Sequence, residues 1–332
     1  MLMVVGSGCS LLTPPPEPVE APPPEIVADE PAIEMQPPAP APPPPAPAPA
    51  PEVPLRKTAI VVSDSRPAYR EVAAELEGLL DNYTTYDLAD GTSTPAGLFA
   101  TIGDSDVQAV VAIGLGAARQ ARQFSPVPVV FCQVFNVRGH ELLTDDVRGV
   151  AATPPLALQL QAWKRLDPSL EDVGLIVGEG HDELLAEARD ATREAQINLH
   201  VQVARSDRET MYLFDRMIAD IDGFWLFPDN RVLSRPVLQH MFTKAAQRRV
   251  QMAVFNESLL DMGAVISSTT VAADVAATTE DILERLAKGD GKTIPAMTPL
   301  SDIAIRINDE LAARYRSEAR AVTDNSQVAN SP

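Results

Sequence analysis

The sequence predicts an α/β fold with two lobes, each a mostly parallel sheet flanked by helices. Short apolar runs rich in β-branched residues recur from Thr58 to Ile307, separated by helix-forming segments. Such runs mark strands covered on both faces, as in a parallel sheet. The alternation runs through once before Pro168 and again after it, which implies two successive sheets. The chain has 332 residues, 45% of them hydrophobic, enough for two cores and a tail.

The stretch Gln108–Asn136 shows the pattern most plainly. Val107–Ile113 is an apolar strand, Gly114-Leu115-Gly116 a turn, Ala117–Phe124 a helix, and Val129–Val134 the next strand after a break at Ser125–Pro128. A strand–helix–strand unit of this kind sets its Gly-rich turn at the carboxyl edge of the sheet, where open α/β folds bind small ligands.

The remaining elements follow in order. Thr58–Val62 is an apolar strand, and Ser63-Asp64-Ser65-Arg66-Pro67 after it is a helix start whose amides suit an anion. Val72, Leu76, Leu79 and Leu80 share one face of that helix. Tyr83–Leu88 is a shorter strand, Thr94-Pro95 opens a helix, and Val147–Ala151 is a strand leading into the helix Leu156–Leu166. Beyond Pro168, strands are expected at Val173–Val177, Leu199–Val203, Gly223–Phe227, Gln251–Phe255 and Ala264–Ser268. Helices are expected at Glu183–Gln196, Arg208–Ala219, Ser234–Arg249 and Asp274–Lys288. Ile303–Ile307 is a last strand and Asn308–Arg316 a last helix; the polar residues 319–332 read as a disordered tail.

The amino-terminal part has a different composition. No Lys or Arg precedes Arg56, whereas seven acidic residues do, so −12 of the net charge of −19 belongs to the rest. That balance argues against a nucleic-acid partner, which needs a basic footprint. Cys9 follows a short apolar run ending in small residues, LMVVGSG, similar to the end of a bacterial lipoprotein signal. Gly6 stands where such signals prefer Leu, and a basic n-region is missing; a start assigned too far downstream would account for the missing part. Residues 1–9 thus read as a truncated signal with Cys9 the acylated residue, and Ser10 after it is compatible with the outer membrane. Residues 10–55 read as a disordered tether: 19 of the 31 prolines fall between Pro14 and Pro54. Proline fixes φ and removes an amide donor, so this segment favours an extended spacer, roughly 130 Å at about 3.1 Å per residue. With Cys9 acylated, Cys132 has no disulfide partner, and its apolar run makes it an inert thiol.

Catalytic and cofactor motifs fail on inspection. Gly114-x-Gly116-x-x-Arg119 lacks the third glycine and the later acidic residue of a dinucleotide site, and Gly289-Asp290-Gly291-Lys292-Thr293 lacks the leading glycine of a phosphate loop. His140, His181, His200 and His240 have no metal-ligand spacing, and no nucleophile motif is present. No enzyme, metal or cofactor is therefore expected. What stands out is the set of polar or Gly-rich turns after the strands. They supply candidate ligand-binding residues Ser63, Asp64, Ser65, Tyr69, Gly114, Leu115, Gly116, Gln133, Phe135, Asn136, Glu179, Asp229, Asn230, Asn256 and Glu257. Amides after Ser65 and Gly114 suit a carboxylate, Asp229 or Glu257 an ammonium group, and Tyr69 or Phe135 an apolar body.

The series SDSRPAYRE (Ser63–Glu71), VVAIGLGAARQA (Val110–Ala121), PVPVVFCQV (Pro126–Val134), GFWLFPDNRVLS (Gly223–Ser234) and FNESLLDMGAVIS (Phe255–Ser267) resembles, in order and spacing, the periplasmic solute-binding proteins of ABC-type transporters. The similarity is greatest to the branch with members that bind aromatic amino acids. The resemblance implies a type I periplasmic-binding fold of two lobes joined by three crossings and closing on a ligand. It places 56–150 with 270–296 in lobe 1 and 151–269 with 297–318 in lobe 2. This chain departs from the family at Gly114-Leu115-Gly116-Ala117, Gln133–Asn136 and Gly178-Glu179-Gly180, all in loops. The expectation is a periplasmic protein, lipid-anchored to the outer or inner membrane of a Gram-negative bacterium, that passes a small, amino-acid-like molecule to an ABC permease. The alternative is an envelope module of the same fold that binds or regulates a protein partner such as a cell-wall synthase.

Overall fold

A computed structural model describes residues 57–229 and 233–315, all within one compact unit, Pro51–Pro332. Cys9, the tether 10–55, Asn230 and the tail 319–332 lie outside the described residues.

Strands β1 (Lys57–Val62), β2 (Tyr83–Asp87), β3 (Val107–Ile113), β4 (Val129–Cys132) and β5 (Val147–Val150) build a first sheet. Strands β6 (Asp172–Val177), β7 (Asn198–Val203), β8 (Gly223–Trp225), β9 (Gln251–Val254) and β10 (Ile266–Thr269) build a second. The short β11 (Met297–Thr298) returns to the first sheet beside β5, and β12 (Ala304–Ile307) closes the second. The orders are β11-β5-β4-β3-β1-β2 and β12-β10-β9-β8-β6-β7, parallel throughout except for β12 against β10. Among the described residues the helices include α1 (Pro67–Leu79), α2 (Pro95–Gly103), α3 (Leu115–Phe124), α4 (Leu156–Leu166), α5 (Asp182–Glu194), α6 (Asp207–Met217), α7 (Arg235–Arg248) and α8 (Ala272–Ala287), and residues 309–315 are helical as well.

Side-chain alternation along each strand feeds two cores per sheet. In the first sheet Ile60, Val111 and Val130 meet α1 and α8, while Ala59, Val61, Val110 and Phe131 meet α2 and α3 on the other face. In the second, Ile176, Phe224 and Met252 meet α6 and α7, while Leu175, Trp225 and Ala253 meet α4 and α5. Covering both faces explains why the strands read as continuous apolar runs. Leu79, expected on the buried face of α1, is 41% exposed; Ala73 takes the place beside Val72 and Leu76.

Two buried glutamines answer the two tryptophans. Trp163 donates to Gln251 at 2.8 Å and Trp225 to Gln159 at 3.1 Å. Gln251 donates in turn to Asp167, and Gln159 to the Pro154 carbonyl. A buried N–H left without an acceptor costs its desolvation. Gln251→Leu should therefore destabilise the fold by about 1–3 kcal/mol, read as a lower urea midpoint at unchanged slope.

The chain passes between the sheets three times, after β5, after β10 and after β11. Because Met297–Thr298 pairs with Gly149–Val150, the last passage follows Thr298, and residues 297–298 stand in the first sheet rather than the second. That passage is tied to the first turn of α8. Asp274 accepts from the Ser301 amide, the Ser301 hydroxyl and the Asp302 amide, at 2.7–2.9 Å. Burial by itself would raise the Asp274 carboxyl, but these hydrogen bonds outweigh it and hold the group below its usual value. A depressed carboxyl stabilises the fold above its unfolded pKa, and this contribution is lost as pH falls through the folded value. The stability deficit of Asp274→Asn, followed by urea unfolding at stepped pH, should be full at neutral pH and shrink below the ordinary Asp value of 3.8.

Candidate functional site

At the carboxyl edge of the first sheet the loops after β1 and β3 are fastened by one hydroxyl. Ser63 donates to the Ile113 carbonyl at 2.8 Å and accepts from the Ala117 amide at 2.8 Å. The expected turn Gly114–Gly116 shrinks accordingly: α3 begins at Leu115, and Leu115 and Gly116 form its first turn. Gly114 alone precedes it, at φ 86° and ψ 167°, a region essentially restricted to glycine. A Cβ there would lie 2.6 Å from the Tyr69 ring and 2.8 Å from the Ser63 hydroxyl. The Leu115 and Gly116 amides, in the first turn, have no acceptor within the helix, and the helix dipole adds to their pull on an anion.

Tyr69 is half-buried over this corner. The Arg66 guanidinium lies 5.3 Å from its ring centroid and donates to its hydroxyl at 3.4 Å. Burial pushes the Tyr69 hydroxyl up, against the opposing pull of Arg66, so it stays a neutral donor. Asp64 accepts from the Arg66 amide at 3.0 Å and pairs with its guanidinium at 3.2 Å; Ser65 is exposed.

The loop after β4 carries the next candidates. The strand stops at Cys132, two residues short of the expected Val134, because Gln133 turns to φ 58°; Asn136 follows at φ 55°. Gln133 donates to the Thr270 hydroxyl, in the passage after β10, at 3.2 Å. The Asn136 side chain accepts from the Gly139 amide at 3.3 Å. Phe135 reaches the other lobe, its ring 5.1 Å from that of His181. Cys132, just before this loop, is fully buried, and burial pushes its thiol up to about 12, as befits an inert group.

The second sheet uses a carboxylate where the first uses a hydroxyl. Asp229 is 2% exposed and accepts from the Gly178 amide at 2.8 Å and from His181 Nε2 at 2.9 Å. Glu179 pairs with Arg205 at 2.6 Å, and Glu257 with Arg306 at 3.3 Å. The Asn256 side chain accepts from the amide and hydroxyl of Ser258, both at 2.9 Å. The two lobes thus turn their carboxyl edges toward one another where Phe135 meets His181, bringing the loops after β4 and β6 together. Asp64, Glu179, Asp229 and Glu257 each have a basic partner in their own lobe. Arg66, Thr270, His181 and Arg205 were not among the sequence candidates. His181 directly follows the Gly178–Gly180 turn and directly precedes α5, so the rule that selected the turn reaches it one residue on. Two open hollows of about 270 and 310 Å³ lie elsewhere, beside α6, lined by residues such as His200 and Arg216 or Arg208 and Tyr212.

Solved structures share this arrangement over most of the chain. A substrate-binding protein with adhesive properties from Clostridium difficile, in its ligand-free open form, matches at a TM-score of 0.59 and 13% identity, over 78% of this chain and 94% of that one. The fold is the two-lobed α/β fold of this substrate-binding protein. An ABC domain from Streptococcus pneumonia in complex with L-Trp shares this fold at a TM-score of 0.52 and 16% identity, over 77% of this chain and 94% of that one. A conserved domain protein from Vibrio cholerae does so at 0.53 and 17%, over 79% and 94%. No protein-family model and no curated protein matches the sequence. At these identities the likeness is one of fold.

The Gly114 corner gives the site a sharp structural test. Gly114→Ala should cost about 1–3 kcal/mol from backbone strain, and contact with Tyr69 adds to it. At roughly 2–4 °C per kcal/mol for a domain of this size, the melting temperature should fall by several degrees.

Proposed function

We propose that this chain is a solute-binding protein of the cell envelope, anchored through Cys9 and reaching into the periplasm on its proline-rich segment. It takes a small molecule between its lobes for delivery to an ABC-type importer, and it performs no chemistry on it. The observation that carries this reading is the pair of carboxyl edges brought together at Phe135 and His181 and joined by three chain passages. The α3 amides and the Tyr69 hydroxyl are donors that suit a carboxylate, and Arg66, paired with Asp64, stands beside them. The rings of Tyr69, Phe135 and His181 suit a flat apolar body. The Streptococcus neighbour, solved with L-Trp, supports a ligand of aromatic amino-acid kind.

A second reading, an envelope module that binds or regulates a protein such as a cell-wall synthase, is favoured by one observation. The candidate carboxylates are already paired within their own lobes, so an ammonium group would have to displace a basic side chain.

Thermal unfolding with a panel of amino acids, aromatic carboxylates, peptides and purines distinguishes the two. A ligand at a hundredfold its Kd adds about 2.7 kcal/mol, which is a rise of roughly 5–11 °C. Tyr69→Ala and Arg66→Gln should each diminish that rise. Silence across the panel, with a cell-wall synthase cross-linked to the chain, would favour the second reading.

A further inference from the structure

The loop after β4 divides its side chains between the two lobes. Val134 is buried in the core that the first sheet shares with α2 and α3, and Val137 packs against the same core. Phe135, between them, packs instead against the core that the second sheet shares with α4 and α5. The left-handed backbone at Gln133 and Asn136 brackets this reversal. Non-glycine residues occupy that region at a cost and persist where their surroundings impose it. One turn further on, Arg138 of the same loop forms an ion pair with Glu183 in the first turn of α5. Phe135 rests on His181, which Asp229 holds from beneath.

We infer that this loop is a latch holding the lobes together, with Phe135 as its plug and Arg138–Glu183 as its clasp. It works through the chain's own side chains, on the side of the groove formed by β4 and α5, and sets how far the groove opens before any solute enters. The plug carries most of the hold. The clasp is solvent-exposed, with side chains 63% and 67% accessible, and exposed pairs of this kind are weak and screened by salt. Its part is to fix the register in which the plug seats. The latch stands whether or not the groove takes the solute proposed above.

The test is an interlobe distance measured with no solute present. Nitroxide labels at Arg122→Cys on α3 and Arg189→Cys on α5, both exposed positions, report on it by double electron–electron resonance in the full chain carrying Cys9→Ser. Cys132 is fully buried and stays unlabelled. The parent should give one short distance. Phe135→Ala should add a longer population, Arg138→Glu a smaller one, and Arg138→Glu combined with Glu183→Arg should restore the parent distribution. Circular dichroism checks that each variant remains folded, and the surface substitutions keep the test open if Phe135→Ala does not. A parent already spread over long distances, single variants indistinguishable from it, or a reversed pair that stays open would each overturn the latch.

Discussion

Where a parallel sheet ends at its carboxyl edge, strand ends and helix starts leave backbone amides and carbonyls without ladder partners. Each lobe of this protein solves that problem with one side chain bridging two loops. In the first, the Ser63 hydroxyl joins the end of β3 to the start of α3. In the second, the Asp229 carboxylate joins the loop after β8 to the end of β6 and to His181. The shape of the groove follows from these two ties. Ser63 brings the α3 start against β1 closely enough that only glycine fits at position 114, and Tyr69 lies over that glycine. Asp229 fixes His181, on which Phe135 rests.

The two ties differ in strength from the charges around them. Glu179–Arg205 and Glu257–Arg306 join side chains more than half exposed, and such pairs contribute about 0–1 kcal/mol each. They can reorganise around an incoming molecule at little cost. Asp229 and His181 are buried, with side chains 2% and 4% accessible, and losing a hydrogen bond between buried groups costs about 1–3 kcal/mol. Asp229 is therefore fixed in the second lobe, whereas Glu179 and Glu257 can change partners at little cost.

Much of this architecture was legible in the residues. Strands covered on both faces announce themselves as apolar runs, and the Pro67 and Pro95 helix starts follow from proline's fixed φ. The misreadings have local causes. Gly116 looks like a turn residue by type, yet it sits inside α3, where its lack of a side chain lets Ser63 approach. Val134 is apolar and buried, so it reads as a continuation of β4; the reversal at Gln133 had no signature, because glutamine rarely takes positive φ. The turn residues at the strand ends could be nominated by type, but their partners could not. His181 and Asp229 stand 48 positions apart, and Glu179 and Arg205 stand 26 apart. Only the parallel order of β6, β7 and β8 brings them to one edge.

Every strand pairing lies within one sheet or the other, so separating the lobes breaks side-chain contacts and leaves both ladders whole. The three passages then decide what kind of motion is open to the molecule. One is tethered by Gln133 to Thr270, and another is tied to α8 by Asp274. Next to the third, Gly149 gives Met297 and Phe131 room to pack where any Cβ would clash at 2.4 Å, which holds the two-residue β11 in place. The loop after β4 is anchored in the first lobe by Val134 and Val137 and seats Phe135 against the second. Rotation of whole lobes about the passages, the hinge class of domain motion, would leave both sheets intact. A molecule entering the groove would then act on the separation of the lobes rather than on the fold of either one.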